Sequence, residues 1–175
     1  MKLKNYIFFI LLSILLSCGS RIEDIVQKWY SKEIKIPDSL VFTKGGVDTI
    51  NNVLKSDNYK ILTYINTGDC FECKSRLSAW SDFINSIDST KCRPECIFIY
   101  KTDNIKEALF LIKLANFNYP MCFDQNEIFM RYNDVFDLEP FQSMLLNGDN
   151  KIVVIGSPIQ NRLIRELMLD SLNVR

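Results

Sequence analysis

Between residues 60 and 88 the hydrophobic period changes, and no other feature of the chain restricts its fold as strongly. Lys60 to Ile65 (KILTYI) is a short, apolar, β-rich run, and Asn66-Thr67-Gly68-Asp69 ends it. Beyond Cys70, the positions Cys73, Leu77, Trp80, Ile84 and Ile87 recur at steps of four, three, four and three, one face of a helix. The pattern predicts a strand that passes straight into a helix running from about Cys70 to about Asp88. Cys70-Phe71-Glu72-Cys73 stands at the junction.

The rest of the chain extends this alternation. Ile97-Phe98-Ile99-Tyr100 reads as a buried strand, and Asp103 or Asn104 is the candidate cap of a helix with apolar positions Ile105, Ala108, Leu109, Ile112 and Ala115. Asn118-Tyr119-Pro120 interrupts it, Met121 to Phe123 is a short strand, and Asp124 is placed to cap a brief helix to Arg131. After Pro140, the strands Phe141 to Leu146 and Lys151 to Ile155 are joined by Asn147-Gly148-Asp149-Asn150, a hairpin turn composition, and Ile159 to Leu169 closes the chain as a helix. Upstream, Ile22, Ile25, Val26 and Trp29 have helical spacing. Ile34 to Phe42 reads as a peripheral strand or hairpin broken at Gly45-Gly46, and Val47 to Ser56 as a further helical turn or two. This order predicts an α/β domain: a central mixed sheet with helices on both faces and a small N-terminal extension.

What the cysteines can do depends on the compartment, and the first twenty residues speak to that. MKLKNYIFFILLSILLSCGS opens with Lys2 and Lys4 and is apolar from Tyr6 to Leu16 except for Ser13. That core is shorter than the roughly 20 residues of a spanning helix and has the make-up of a secretory signal. Leu15-Leu16-Ser17-Cys18 resembles the bacterial lipoprotein box, which implies lipidation of Cys18; an ordinary signal that ends beside a cysteine is the plainer alternative. The expected organisation is a lipoprotein signal at 1–17, a lipidated N-terminus with spacer and short helix at 18–33, and one domain at 34–175. The expected place is the cell envelope, lipid-anchored and facing the periplasm or the cell surface.

Losing residues 1–17 removes two of 21 basic residues and none of 21 acidic ones, leaving a formal charge of −2. Nothing here is a basic footprint for nucleic acid. The chain has no histidine, so Cys-His and Ser-His nucleophile pairs and histidine-ligated metals are excluded. A domain of this size also has a core of its own and does not need disulfides to fold.

Five cysteines besides Cys18 remain to be placed. Cys70 would begin the helix, where unpaired N–H groups favour a thiolate, and Cys73 would fall on the apolar stripe and be buried. Asp69 and Glu72 set like charge beside any thiolate, with Lys74 a partial offset. Cys92 and Cys96 flank Arg93-Pro94-Glu95 and are a candidate second disulfide; Cys96 as a small core residue with Cys92 an exposed thiol is the equal alternative. Cys122 reads as a buried strand residue. The two pairs, Cys70/Cys73 and Cys92/Cys96, also come near a four-cysteine zinc pattern. A helix over 71–88 would span about 27 Å at ~1.5 Å per residue and carry the second pair to the far end of the sheet, so no metal or other cofactor is expected.

With CxxC at the first strand-to-helix junction, the chain resembles the thioredoxin-like thiol–disulfide oxidoreductases of the TlpA/ResA type, themselves near peroxiredoxins. The matching pieces are ILTYINTGDCFECK, YPMCFDQ and EPFQSMLLNGDNKIVVIG, all within residues 59–156. The resemblance implies a thioredoxin-like fold and exchange on protein cysteines, with Cys70 attacking and Cys73 resolving. Pro140 would be a cis-proline shaping the substrate groove, with Asp69, Phe71 and Glu72 beside it as substrate-facing residues. Its partners would be protein thiols and disulfides, an electron-donating redox partner, and the membrane through the lipid on Cys18. The sequence departs from the thioredoxin pattern at three places: Asp69 replaces the aromatic before the first cysteine, Phe71-Glu72 replaces Gly-Pro, and the buried acid six residues before the first cysteine falls on Tyr64. A reductant- or isomerase-like poise is expected. The alternative is a non-catalytic thioredoxin-fold lipoprotein, a binding module in which Cys70–Cys73 is a structural staple.

Overall fold

The computed structural model describes residues 23–24, 26–50, 53, 55–68, 70–88, 90–134 and 141–173; the leader, Cys18, Asp69 and Pro140 lie outside them. The strands are β1 (Phe42–Lys44), β2 (Asp48–Ile50), β3 (Lys60–Gly68), β4 (Glu95–Thr102), β5 (Pro120–Phe123), β6 (Ser143–Leu146) and β7 (Ile152–Ile155). The helices are α1 (Phe71–Ser75), α2 (Leu77–Ile87), α3 (Ile105–Leu114), α4 (Ile128–Asn133) and α5 (Arg162–Asn173). A short helical segment covers 26–29 ahead of them.

The strands form one mixed sheet in the order β2-β1-β5-β4-β3-β6-β7. β3 pairs parallel with β4, and β4 with β5; the pairs at both flanks are antiparallel. Period-two alternation sends the central side chains to opposite faces. Ile61, Ile65, Cys96, Phe98 and Tyr100 pack under α2, α3 and α5 with Trp80, Phe83, Ile112 and Met168. Leu62, Tyr64, Ile97 and Ile99 pack on the other face with Trp29, Ile34, Leu40 and Phe129. The first face is rich in aromatics: Phe98 lies 5.2 Å from Trp80 and 4.9 Å from Phe117, both edge to face. Each such pair contributes about 0.5–1.5 kcal/mol beyond its buried area. This is the expected α/β sheet with both faces covered, and the N-terminal segment, anchored by the buried Trp29, is its small extension.

Three local expectations are corrected. The helix expected over 70–88 is two helices, because Arg76 takes a left-handed conformation (φ 49°, ψ 43°) between α1 and α2. That turn takes Cys73 off the face carried by Leu77, Trp80, Ile84 and Ile87. Second, the expected helical turns after Val47 begin instead as β2, paired with β1 across a turn at Gly45 and Gly46. Gly46 suits that turn because its φ of 77° is a backbone conformation that side-chain-bearing residues rarely adopt. Third, β3 runs on to Gly68 instead of ending at Ile65 because β4 holds it that far. The caps follow the sequence: Asn104 Oδ1 accepts the Glu107 N–H, and the Asp124 carboxylate accepts the N–H groups of Ile128 and Phe129.

Two outcomes follow from these placements. Arg76→Gly relieves the left-handed backbone and raises the free energy of urea unfolding by up to about 1 kcal/mol, while the β-branched Arg76→Val lowers it by a similar amount. Burial raises the Cys96 thiol to about 12. Its neutral form therefore stabilises the fold below its ordinary value near 9, and this contribution is lost as pH rises toward 12. Urea midpoints measured at pH 8 and pH 10.5 fall more steeply for the native chain than for Cys96→Ala.

Candidate active site

Cys70 enters the site from the C-terminal end of β3. The β3–β4 register slips between Asn66 and Gly68, an irregularity that turns the end of the strand. Gly68 has φ 51°, and its N–H donates to Asn66 Oδ1 at 3.2 Å. The hydroxyl of Thr67 donates to the Lys101 carbonyl at 2.8 Å, which ties the same turn to β4. The Cys70 N–H then bonds the Thr67 carbonyl, and the Cys70 carbonyl accepts the Lys74 N–H as α1 begins.

Cys70 is the N-cap of α1 and is joined to Cys73 by a disulfide with the Cα atoms 5.5 Å apart. Its Sγ accepts the Cys73 N–H at 3.2 Å. This bond is a local support for charge on Cys70. The helix itself is only five residues long before the turn at Arg76, so it adds little macrodipole. The expected exposure is corrected: Cys73 is exposed and Cys70 half-buried, because the turn at Arg76 takes Cys73 away from the apolar face of α2.

Phe71 is also corrected. Expected at the substrate surface, it is 2% exposed and its ring packs 5.0 Å from that of Tyr100. It fills the core position that the sequence pattern assigned to Cys73. Glu72 is exposed; Asp69 and Pro140 fall outside the described residues. The chain just after Pro140 is nevertheless fixed: the Tyr64 N–H bonds the Gln142 carbonyl at 2.8 Å. Gln142 then lines a polar cavity of about 60 Å³ together with Thr63, Lys74, Arg76 and Ser143. Thus the segment after Pro140 and the residues after Cys73 share one small pocket, large enough for a few waters.

Tyr64, at the position of the buried acid in thioredoxins, lies on the opposite face of the sheet and stacks on Phe129 at 6.0 Å. The candidate second disulfide between Cys92 and Cys96 is not formed. Both are free thiols, Cys96 buried at the start of β4 and Cys92 half-buried with its N–H bonded to the Leu172 carbonyl. Cys122 is free and buried, with its thiol raised by desolvation first and by Asp124 second. The zinc pattern is not assembled: Cys96 stands beside Ile61, seven residues before the end of β3, which is over 20 Å away at ~3.3 Å per residue. Lys74 was legible as a cation next to the pair. Arg76, Ser75 and Gln142 were not, since nothing in the sequence marks a left-handed arginine.

No family model matches the chain, and no curated protein matches it. Solved structures do. A thiol:disulfide interchange protein DsbE from Chlorobium tepidum aligns with a TM-score of 0.59 at 14% identity, over 82% of this chain and 99% of that one. StoA from Bacillus subtilis aligns at 0.50 and 20% identity, over 71% and 94%. Peroxiredoxin Q from Xanthomonas campestris aligns at 0.53 and 14% identity, over 81% and 99%. At these identities the likeness is one of backbone, and the chain has the thioredoxin-like fold that these proteins share.

Proposed function

We propose that the protein is a thiol–disulfide oxidoreductase acting on protein cysteines outside the cytoplasm, held at a membrane by lipid on Cys18. The observation that carries this is the position of the Cys70–Cys73 disulfide. It sits at the C-terminal edge of the parallel strands with Cys73 exposed, where a second chain can reach it, and is not enclosed as a staple would be. Among the described residues no helix is long and apolar enough to cross a membrane, so the lipid would be the anchor.

In the reduced form, the Cys70 thiolate attacks one sulfur of a substrate disulfide, and the other sulfur leaves as a thiol after protonation. The mixed disulfide is resolved when the Cys73 thiolate attacks Cys70 Sγ, which releases the second substrate thiol and restores Cys70–Cys73. Two electrons pass to the substrate, and an external dithiol donor returns them. Cys70 is assigned the attack because its sulfur keeps the Cys73 N–H as a donor when it carries charge. Pro140, Asp69 and Glu72 would line the substrate path. Asp69 and Glu72 stand in the same short segment as Lys74 and Arg76, so the nearby charges roughly offset one another. A thiolate without strong stabilisation belongs to a reducing or isomerising pair.

The full-length chain in detergent should titrate with a reduction potential of about −200 mV or lower, far from the ~−120 mV of a strong oxidant. It should reduce insulin with dithiothreitol as donor, and Cys70→Ser should remove that activity. A disulfide that resists mild reductant and exchanges with nothing would instead make it a staple. Cys73→Ser should accumulate mixed disulfides through Cys70. Accumulation in Cys70→Ser instead would make the more exposed Cys73 the attacking residue.

A further inference from the structure

The turn at Arg76 opens a groove that the exchange chemistry leaves unused. It has a volume of about 450 Å³ and lies between the α1–α2 corner and the C-terminal end of α3, lined by Glu72, Ser75, Arg76, Leu77, Leu111 and Leu114. Its wall on α3 is apolar and open: Leu114 is 73% exposed, and Phe110, one turn earlier on the same helix face, is 64% exposed. At its other wall Ser75 is wholly buried, with a hydroxyl that has no hydrogen-bond partner. An unsatisfied buried hydroxyl is destabilising, so its presence at a groove wall asks for an occupant that bonds to it.

We propose that this groove is a docking site for the substrate polypeptide, taking an apolar side chain next to the target cysteine. The inference rests on the exchange reading above and adds a substrate class to it: extended chains with a leucine- or phenylalanine-like residue beside the cysteine. Continuity argues for this occupant. Glu72 stands between the two cysteines in the chain and also lines the groove, so a chain disulfide-bonded to Cys70 or Cys73 runs past its mouth. A peptide supplies both things the groove lacks, an apolar group for Leu111 and Leu114 and a backbone polar group for Ser75. A lipid surface supplies only the first, and Glu72 and Arg76 at the rim oppose it.

The test uses the reduced full-length chain and two synthetic peptides, each a mixed disulfide with thionitrobenzoate, which absorbs on release. One carries Leu-Leu before the cysteine and the other Gly-Gly. The leucyl peptide should react with a kcat/KM about tenfold higher, the worth of one partly buried aliphatic side chain. Leu114→Asp should abolish that preference. Ser75→Ala should raise KM for the leucyl peptide about threefold without lowering thermal stability, since it deletes an unpartnered polar group. Equal rates for the two peptides, or a preference that survives Leu114→Asp, would overturn the groove while leaving exchange intact. A native chain that also fails to reduce the small disulfide 5,5′-dithiobis(2-nitrobenzoate) would overturn the exchange reading and the groove with it. Self-association that vanishes in Leu114→Asp would give the groove to a second copy and overturn the proposal.

Discussion

The parallel ladder between β3 and β4, registered from Lys60 beside Glu95 to Gly68 beside Thr102, constrains the placement of nearly every cysteine in the domain. Two parallel neighbours need a crossover between them, and α1 with α2 supplies it on one face. The crossover must leave β3 at its C-terminal end, so the Cys70–Cys73 pair is delivered to that edge of the sheet. It must return to the opposite edge, so Cys92 and Cys96 are delivered there. The separation that denies the four cysteines a common metal is thus a consequence of strand direction. β5, parallel to β4, extends the same logic and buries Cys122 beside Ile99.

This arrangement divides the thiols by chemistry. Cys96 and Cys122 lie within the sheet, where desolvation keeps them in the neutral form and hence poor nucleophiles. Cys70 and Cys73 lie beyond the strands, where solvent and one backbone N–H are available. Burial of Cys96 and Cys122 therefore also keeps them from exchanging with the Cys70–Cys73 disulfide inside the same chain. Among the described residues the free cysteines are held in the sheet or at its far edge, away from Cys70.

Most of the architecture was legible because it rests on strong, local signals. The apolar strands, the cap at Asn104, the carboxylate cap at Asp124 and the hairpin around Asn147 all appeared where periodicity and turn chemistry put them. What escaped was decided by tertiary partners. β3 reaches Gly68 because β4 offers it bonds to that point, and Thr67 and Gly68 carry no strand signal of their own. The turn at Arg76 is the clearest case, since left-handed residues are read from glycine or asparagine and an arginine gives no warning. The exposure of Cys73 and the burial of Phe71 were both misjudged for that one reason. Of the candidate site, the pair and its junction were readable, but the walls around it were not.

The interruption at Arg76 has a mechanical meaning as well. In an unbroken helix Cys73 would share a face with Leu77, and opening the disulfide would disturb a side chain packed in the core. With the chain turned at Arg76, α2 keeps the packing role through Trp80, Phe83 and Ile84, while α1 is left to present the sulfurs. Phe71 replaces Cys73 as the buried contact and fastens α1 to Tyr100 in β4. The anchor of α1 is therefore an aromatic contact that does not involve the sulfurs. On the proposed exchange, reduction would alter the surface of α1 and leave the aromatic face beneath it packed. The same turn opens the space between α1 and α3, so the feature that frees the disulfide from the core also makes the groove beside it.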